Sequence, residues 1–291
     1  MRDYVIMTDS CCDLNAQEVA ECGLSVVPLT FTIGGKTYRD TPDHAEMSPR
    51  EFYRRLRAGE RAVTSAANVA DFTDAMRPIL ESGRDVLCVS FSSALSTTYQ
   101  SACIAADELR GEYPDAKLIV IDSLCASRGQ GMLVWNAAKE KAKGKTIDEV
   151  ADWVRKKLKH QDHWFTVDDL NHLRRGGRLN ATSAIIGTVL AIKPVMHCDA
   201  EGKLTPVGKA RGMKQALGEV VERMDELGDL PLSNQTVFIC HADAPEYVDL
   251  VKNMLLLRYG VTDVRADYIG PVIGSHTGAG TVGLFFFGTA R

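Results

Sequence analysis

Val86-Leu-Cys-Val-Ser-Phe-Ser-Ser-Ala-Leu-Ser-Thr-Thr-Tyr99 opens on an apolar run of strand length and passes through a cluster of hydroxyls into a helix-period segment, Ser96 through Leu109. Leu118-Ile-Val-Ile121 then supplies the next strand. Similar apolar runs stand at Val5–Met7, Leu24–Val27, Val237–Cys240 and Val264–Tyr268, with helix-period segments such as Asp71–Leu80 between most of them. This alternation specifies an α/β fold with substantially parallel strands. Thr8-Asp9-Ser10 and Asp122-Ser123 follow strand carboxyl ends, where open α/β sheets bind ligands; both acids also suit the capping of a following helix.

Ser92 and Ser93 fall at a strand-to-helix turn, where free N–H groups and the helix dipole favour an anion. Thr64-Ser-Ala-Ala-Asn68 stands in the same way before a helix beginning at Val69. Each cluster is equally an N-cap motif, since Ser, Thr and Asn lead at such positions. A third cluster near the end of the sequence, Gly270-Pro-Val-Ile-Gly-Ser-His-Thr-Gly-Ala-Gly280, reads as a glycine loop that brings backbone close to a ligand and offers Ser275, His276 and Thr277 as donors.

Several catalytic signatures fail on context. Gly278-Ala-Gly-Thr-Val-Gly283 has dinucleotide-loop spacing but runs into the strand-like Val282–Phe287 instead of a helix. Gly144-Lys-Thr146 ends like a phosphate-binding loop, yet Lys139 stands where the first glycine is required; Thr146 and Glu149 read instead as a capping box. Gly274-Ser-His-Thr-Gly278 places His276 where a nucleophile elbow needs serine. His160-Gln-Asp-His163 lacks a third ligand at metal spacing and reads as a surface helix end.

The 291 residues suffice for two medium domains. The amphipathic helix from Ile147 to His160 and the polar Gln161-Asp-His163 mark a boundary, giving α/β domains over 1–160 and 161–291. Phe31 to Arg61 reads as an excursion with a turn and one short helix, capped by Ser48 with Pro49 at its first position. A net charge of -4 gives no basic footprint for nucleic acid. Eight cysteines without a C-x-x-C pair, no signal peptide and no run of membrane-span length indicate a soluble, reduced, cytoplasmic protein.

Thr8-Asp-Ser10, Thr64-Ser65, Ser92-Ser-Ala-Leu-Ser-Thr-Thr-Tyr99, Leu173-Arg-Arg-Gly-Gly-Arg178, Leu190-Ala-Ile-Lys-Pro194, Gly208-Lys-Ala-Arg211 and Gly274-Ser-His-Thr-Gly278 stand in register along the chain. Together they resemble the DegV family, the fatty-acid-binding subunits of bacterial fatty acid kinase. The resemblance implies two α/β domains with a long-chain fatty acid in the cleft between them and no other cofactor. Thr64, Ser93 and His276, with Ser65 and Ser92 beside them, would hold its carboxylate. Arg178 and Arg211 match arginines of kinase docking or phosphate contact.

A protein of this kind is non-catalytic. It presents the acid to a separate kinase subunit and carries the acyl phosphate to the acyltransferase of phospholipid synthesis. A carboxylate held by neutral hydroxyls and one imidazole is stabilised without an ion pair too tight to release. Ala184 to Ile192 offers apolar side chains for a tail slot or for an ordinary helix core. The rival reading is an acyl hydrolase or transferase in which His276 serves as base to Ser93, oriented by Asp9 or Asp122. The sequence departs from the family pattern at Thr97, where glycine is usual, and at Ala67, where proline is usual. Thr97 raises the question of a positive φ, which threonine disfavours.

Overall fold

The computed structural model describes residues 2–179, 191–229 and 231–289. In chain order it contains β1 (Tyr4–Asp9), α1 (Ala16–Cys22), β2 (Ser25–Val27), β3 (Thr30–Ile33), β4 (Lys36–Arg39), α2 (Pro49–Arg57) and β5 (Ala62–Ser65). There follow α3 (Val69–Glu81), β6 (Asp85–Ser90), α4 (Thr98–Glu112), β7 (Leu118–Asp122), α5 (Arg128–Ala142) and α6 (Ile147–Lys157). The remainder comprises β8 (Gln161–Thr166), α7 (Asn171–Arg175), β9 (Ile192–Cys198), β10 (Leu204–Arg211), α8 (Met213–Leu227), β11 (Val237–His241), α9 (Pro245–Tyr259), β12 (Val264–Tyr268), α10 (Pro271–Thr277) and β13 (Val282–Phe287).

The fold is mixed α/β. β1 and β6 are buried along their whole length, as strands covered on both faces must be, and they lie at the centre of a parallel sheet in the order β2-β1-β6-β7. Local chemistry sets the helix starts. Asn68 with Asp71 and Thr146 with Glu149 form reciprocal capping boxes, and Ser48 accepts from the Glu51 N–H with Pro49 at the first helical position.

The six-stranded sheet, in the order β10-β9-β8-β13-β11-β12, departs from the expected parallel arrangement: only β11 and β12 pair in parallel. The apolar run of β13 is central and covered on both faces, and such a strand looks alike in sequence whichever way its neighbours run. Gln161, Asp162 and His163 are buried inside β8 rather than forming a surface helix end; only His160 lies outside the sheet, its ring bonded to the Thr289 carbonyl. The excursion also holds more than a turn and a helix: β4-β3-β5 is an antiparallel sheet of its own. Its inner face carries Phe31, stacked on Tyr38 and edge-on to Phe52.

The largest apolar cluster draws side chains from both large sheets, among them Val5 and Met7 on one side and Phe165, Phe238 and Phe285 on the other. Each such burial stabilises by about 1.5–3 kcal/mol. A buried ion pair, Arg128 to Glu18 at 2.6 Å, lies beside it, and Arg128 also donates to the Asp13 carbonyl.

Candidate functional site

A cavity of about 420 Å3 opens within this cluster, walled by residues of β5, the β6–α4 turn, the segment after β7, β8 and α10. Its volume lies in the range of small-molecule sites, roughly 300–1,000 Å3. Most of its surface is apolar, contributed by Leu29, Phe91, Leu95, Phe165, Val272 and Ile273 among others. No single sequence pattern marks them as a tail slot, because they come from the segment before β3, the β6–α4 turn, β8 and α10. The expected slot at 184–192 lies, up to residue 190, outside the described residues.

Thr64, Ser93, His276 and Arg178 all line this cavity. Antiparallel pairing sets Thr64 opposite Phe31, so strand alternation turns its hydroxyl inward while Val63 points to solvent. Ser93 is pinned through its backbone: its N–H donates to both carboxylate oxygens of Asp122, at 3.2 and 3.3 Å. Asp9 in turn accepts from the Phe91 N–H and from the Ser90 hydroxyl, both at 2.8 Å. The two acids therefore fasten the β6–α4 turn; Asp9 also caps the short turn at Ser10–Cys12. Thr97 adopts φ -78, so the departure from glycine costs no strain there. That turn precedes the helix by several residues, because α4 begins only at Thr98.

His276 corrects an expectation. It lies not in a glycine loop but in the last turn of α10, which starts with Pro271 preset for the helical φ and ends at Gly278 with φ +77. Gly274 is small for packing rather than flexibility: a Cβ there would come within 2.3 Å of the Tyr53 hydroxyl. Tyr53, on α2, donates to the Ile269 carbonyl and ties the segment leading into α10 to α2.

The Thr64 hydroxyl and His276 Nε2 are 2.8 Å apart. Burial, and then the Arg178 charge, push the imidazole pKa down to about 4, so His276 is neutral at pH 7. Arg178 is half-buried and donates to the carbonyls of Leu95 and Gly176, with three of its five N–H groups left for a ligand. Hydroxyls, a neutral imidazole and a guanidinium thus converge at the polar end of an apolar cavity.

Other candidates lie elsewhere. Ser65 is exposed on the outer face of β5. Ser92 is fully buried and donates to the Gly202 carbonyl at 2.9 Å, tying the turn to the β9–β10 hairpin. Arg211 is exposed at the end of β10, away from the cavity wall. The acyl hydrolase reading asks for His276 beside Ser93. His276 bonds Thr64 rather than Ser93, and no carboxylate orients it among the described residues; Asp9 and Asp122 are engaged with the turn. Among the described residues no three His, Cys, Asp or Glu side chains gather to hold a metal ion, and no helix is long and apolar enough to cross a membrane.

Comparison with known proteins gives this site its context. A DegV domain-containing protein of Clostridium perfringens is 40% identical over 291 residues, covering 100% of this chain and 99% of its own. A DegV lipid-binding protein of Thermotoga maritima superposes with a TM-score of 0.87 at 30% identity, each chain 99% covered. A DegV family protein of Thermus thermophilus described as binding fatty acid gives 0.86 at 31%, covering 99% of this chain and 100% of its own. The profile of the DegV family, described as uncharacterised proteins, matches residues 3–289, and the chain belongs to that family.

Proposed function

We propose that the protein is a fatty-acid carrier: it holds a long-chain acid with the carboxylate on Thr64, Ser93 and His276 and the chain along the apolar wall. It presents that acid to the catalytic subunit of a fatty acid kinase and hands the acyl phosphate to an acyltransferase of phospholipid synthesis. The observation that carries the proposal is the Thr64–His276 pair on the wall of a largely apolar cavity. A buried carboxylate needs several donors to offset its desolvation, and this wall supplies neutral ones with Arg178 beside them.

The protein performs no chemistry of its own. A histidine whose pKa is depressed to about 4 is a poor general base near neutrality. Arg178, inside the cavity wall, contacts the phosphoryl group as it forms on the carboxylate; Arg211, exposed and apart, belongs to docking. The chain divides into α/β domains at 160/161, a reading supported by the four-stranded sheet lying wholly before that point and the six-stranded sheet wholly after it. It works in the cytoplasm without a cofactor, a reading supported by eight cysteines none of which is in a disulfide.

Native mass spectrometry of the purified protein tests the central claim. A near-stoichiometric fatty acid, lost on denaturation and absent from a Thr64→Val, His276→Leu double variant, is the expected result. A clean mass that also refuses added fatty acids overturns it. With kinase subunit and ATP present, Arg178→Gln retains the bound acid and slows acyl phosphate formation by at least about tenfold. An unchanged rate removes the arginine from the reaction.

A further inference from the structure

Val272, Ile273 and His276 line the cavity on the three-to-four spacing of one helix face, and Ile269 lines it from just before the helix, so α10 runs along the cavity with His276 near its end. From Val272 to His276 the helical wall extends about 6 Å at 1.5 Å per residue. Thr277, the next residue, turns about 100° away from His276 and lines the cavity as well. It is 6% exposed, and its Oγ1 is buried with no hydrogen-bond partner among the described residues.

A buried hydroxyl facing a methylene chain loses its water and gains nothing in return, which is why unsatisfied groups of this kind are rare. The surrounding wall is polar too. Thr281 donates to the carbonyls of Thr277 and Gly278, at 3.2 and 3.1 Å. Ser127 gives its proton to Asp13 and its side chain also meets the Cys240 thiol in a hydrogen bond. Its backbone sits at φ +53, ψ -145, a region serine seldom enters and one that surrounding structure must impose. Cys240 adds a thiol to the same wall.

Thr277 adjoins His276 on α10, whereas Ser127 and Cys240 line the same cavity from the segment before α5 and from β11. A ligand that carries polarity along its chain suits a wall of this kind. We propose that the cavity takes an acyl chain bearing a hydroxyl, received by Thr277, with Ser127 and Cys240 completing the polar wall. The proposal rests on the fatty-acid reading above and narrows its substrate class.

Competition binding to the full chain compares stearic acid with a mid-chain hydroxystearic acid. The expected result is a preference of about tenfold or more for the hydroxy acid. Thr277→Val keeps the shape and removes the hydroxyl, so it abolishes the preference and leaves stearic acid bound as well or better. The proposal is overturned by a wild-type preference for stearic acid or by a preference that survives Thr277→Val. It is equally overturned if the variant loses both acids in proportion, which would put Thr277 on the carboxylate. Failure of both acids to bind the wild type brings down the fatty-acid reading itself.

Discussion

The imidazole of His276 is held by shape as much as by bonding. A Cβ on Gly176 would come within 2.3 Å of His276 Nδ1, yet Gly176 has an ordinary helical φ of -74. Alanine there costs no backbone strain; its methyl displaces the ring from Thr64. Gly176→Ala is expected to lower fatty acid affinity about tenfold or more while moving the melting temperature by only a few degrees, as a fluorescent-acid displacement assay and a thermal scan would show. A change in stability without a change in affinity would show that the ring position is immaterial. Thr64, Ser93 and His276 were legible as hydroxyl and imidazole clusters, and the structure brings all three to the wall of one cavity. Gly176 was not, since what it avoids lies about a hundred residues further along the chain.

At the level of elements, α10 shows why the last glycine cluster misled. Gly274 and Gly278 signal a loop to local pattern rules, but Gly274 answers to the Tyr53 ring, and it is Gly278 and Gly280, at and beyond the helix end, that use their conformational freedom. The capped helices at Ser48 and Thr146 were plain because their signals are local; the antiparallel six-stranded sheet was not, because strand direction is decided by distant partners. Asp13 anchors the start of α10, accepting from the Gly270 N–H at 3.0 Å and from Ser127. Burial raises its carboxyl pKa to about 7 against the help of Ser127, Gly270 and Arg128, with Asp40 and Asp267 adding negative charge nearby. Between the unfolded value near 3.9 and that raised value the native state holds a proton that the unfolded chain has released. The contribution of Asp13 to stability therefore falls as pH rises from about 4 to 7. His276 works in the opposite sense over about 4 to 6.5, because there the unfolded chain binds the extra proton. In paired unfolding curves, Asp13→Asn is expected to gain on the wild type steadily from pH 4 to 7; parallel profiles would show that Asp13 does not titrate there.

Over the whole molecule, the cavity occupies the seam where both large sheets feed one apolar cluster. A ligand in that position bridges the two halves and stabilises the native state by mass action. At a hundredfold excess over its dissociation constant it adds about 2.7 kcal/mol, which at about 2–4 °C per kcal/mol for a chain of this size raises the melting temperature by about 5–10 °C. A thermal shift that grows with fatty acid concentration and vanishes in the Thr64→Val, His276→Leu variant is the expected outcome; a flat response would place the acid outside the core. The location of the cavity also sets a mechanical property. Unfolding reclaims whatever space a protein encloses, so hydrostatic pressure favours the unfolded chain in proportion to its internal voids. A ligand lying in the seam removes that leverage, and ligand and protein then resist compression as one body.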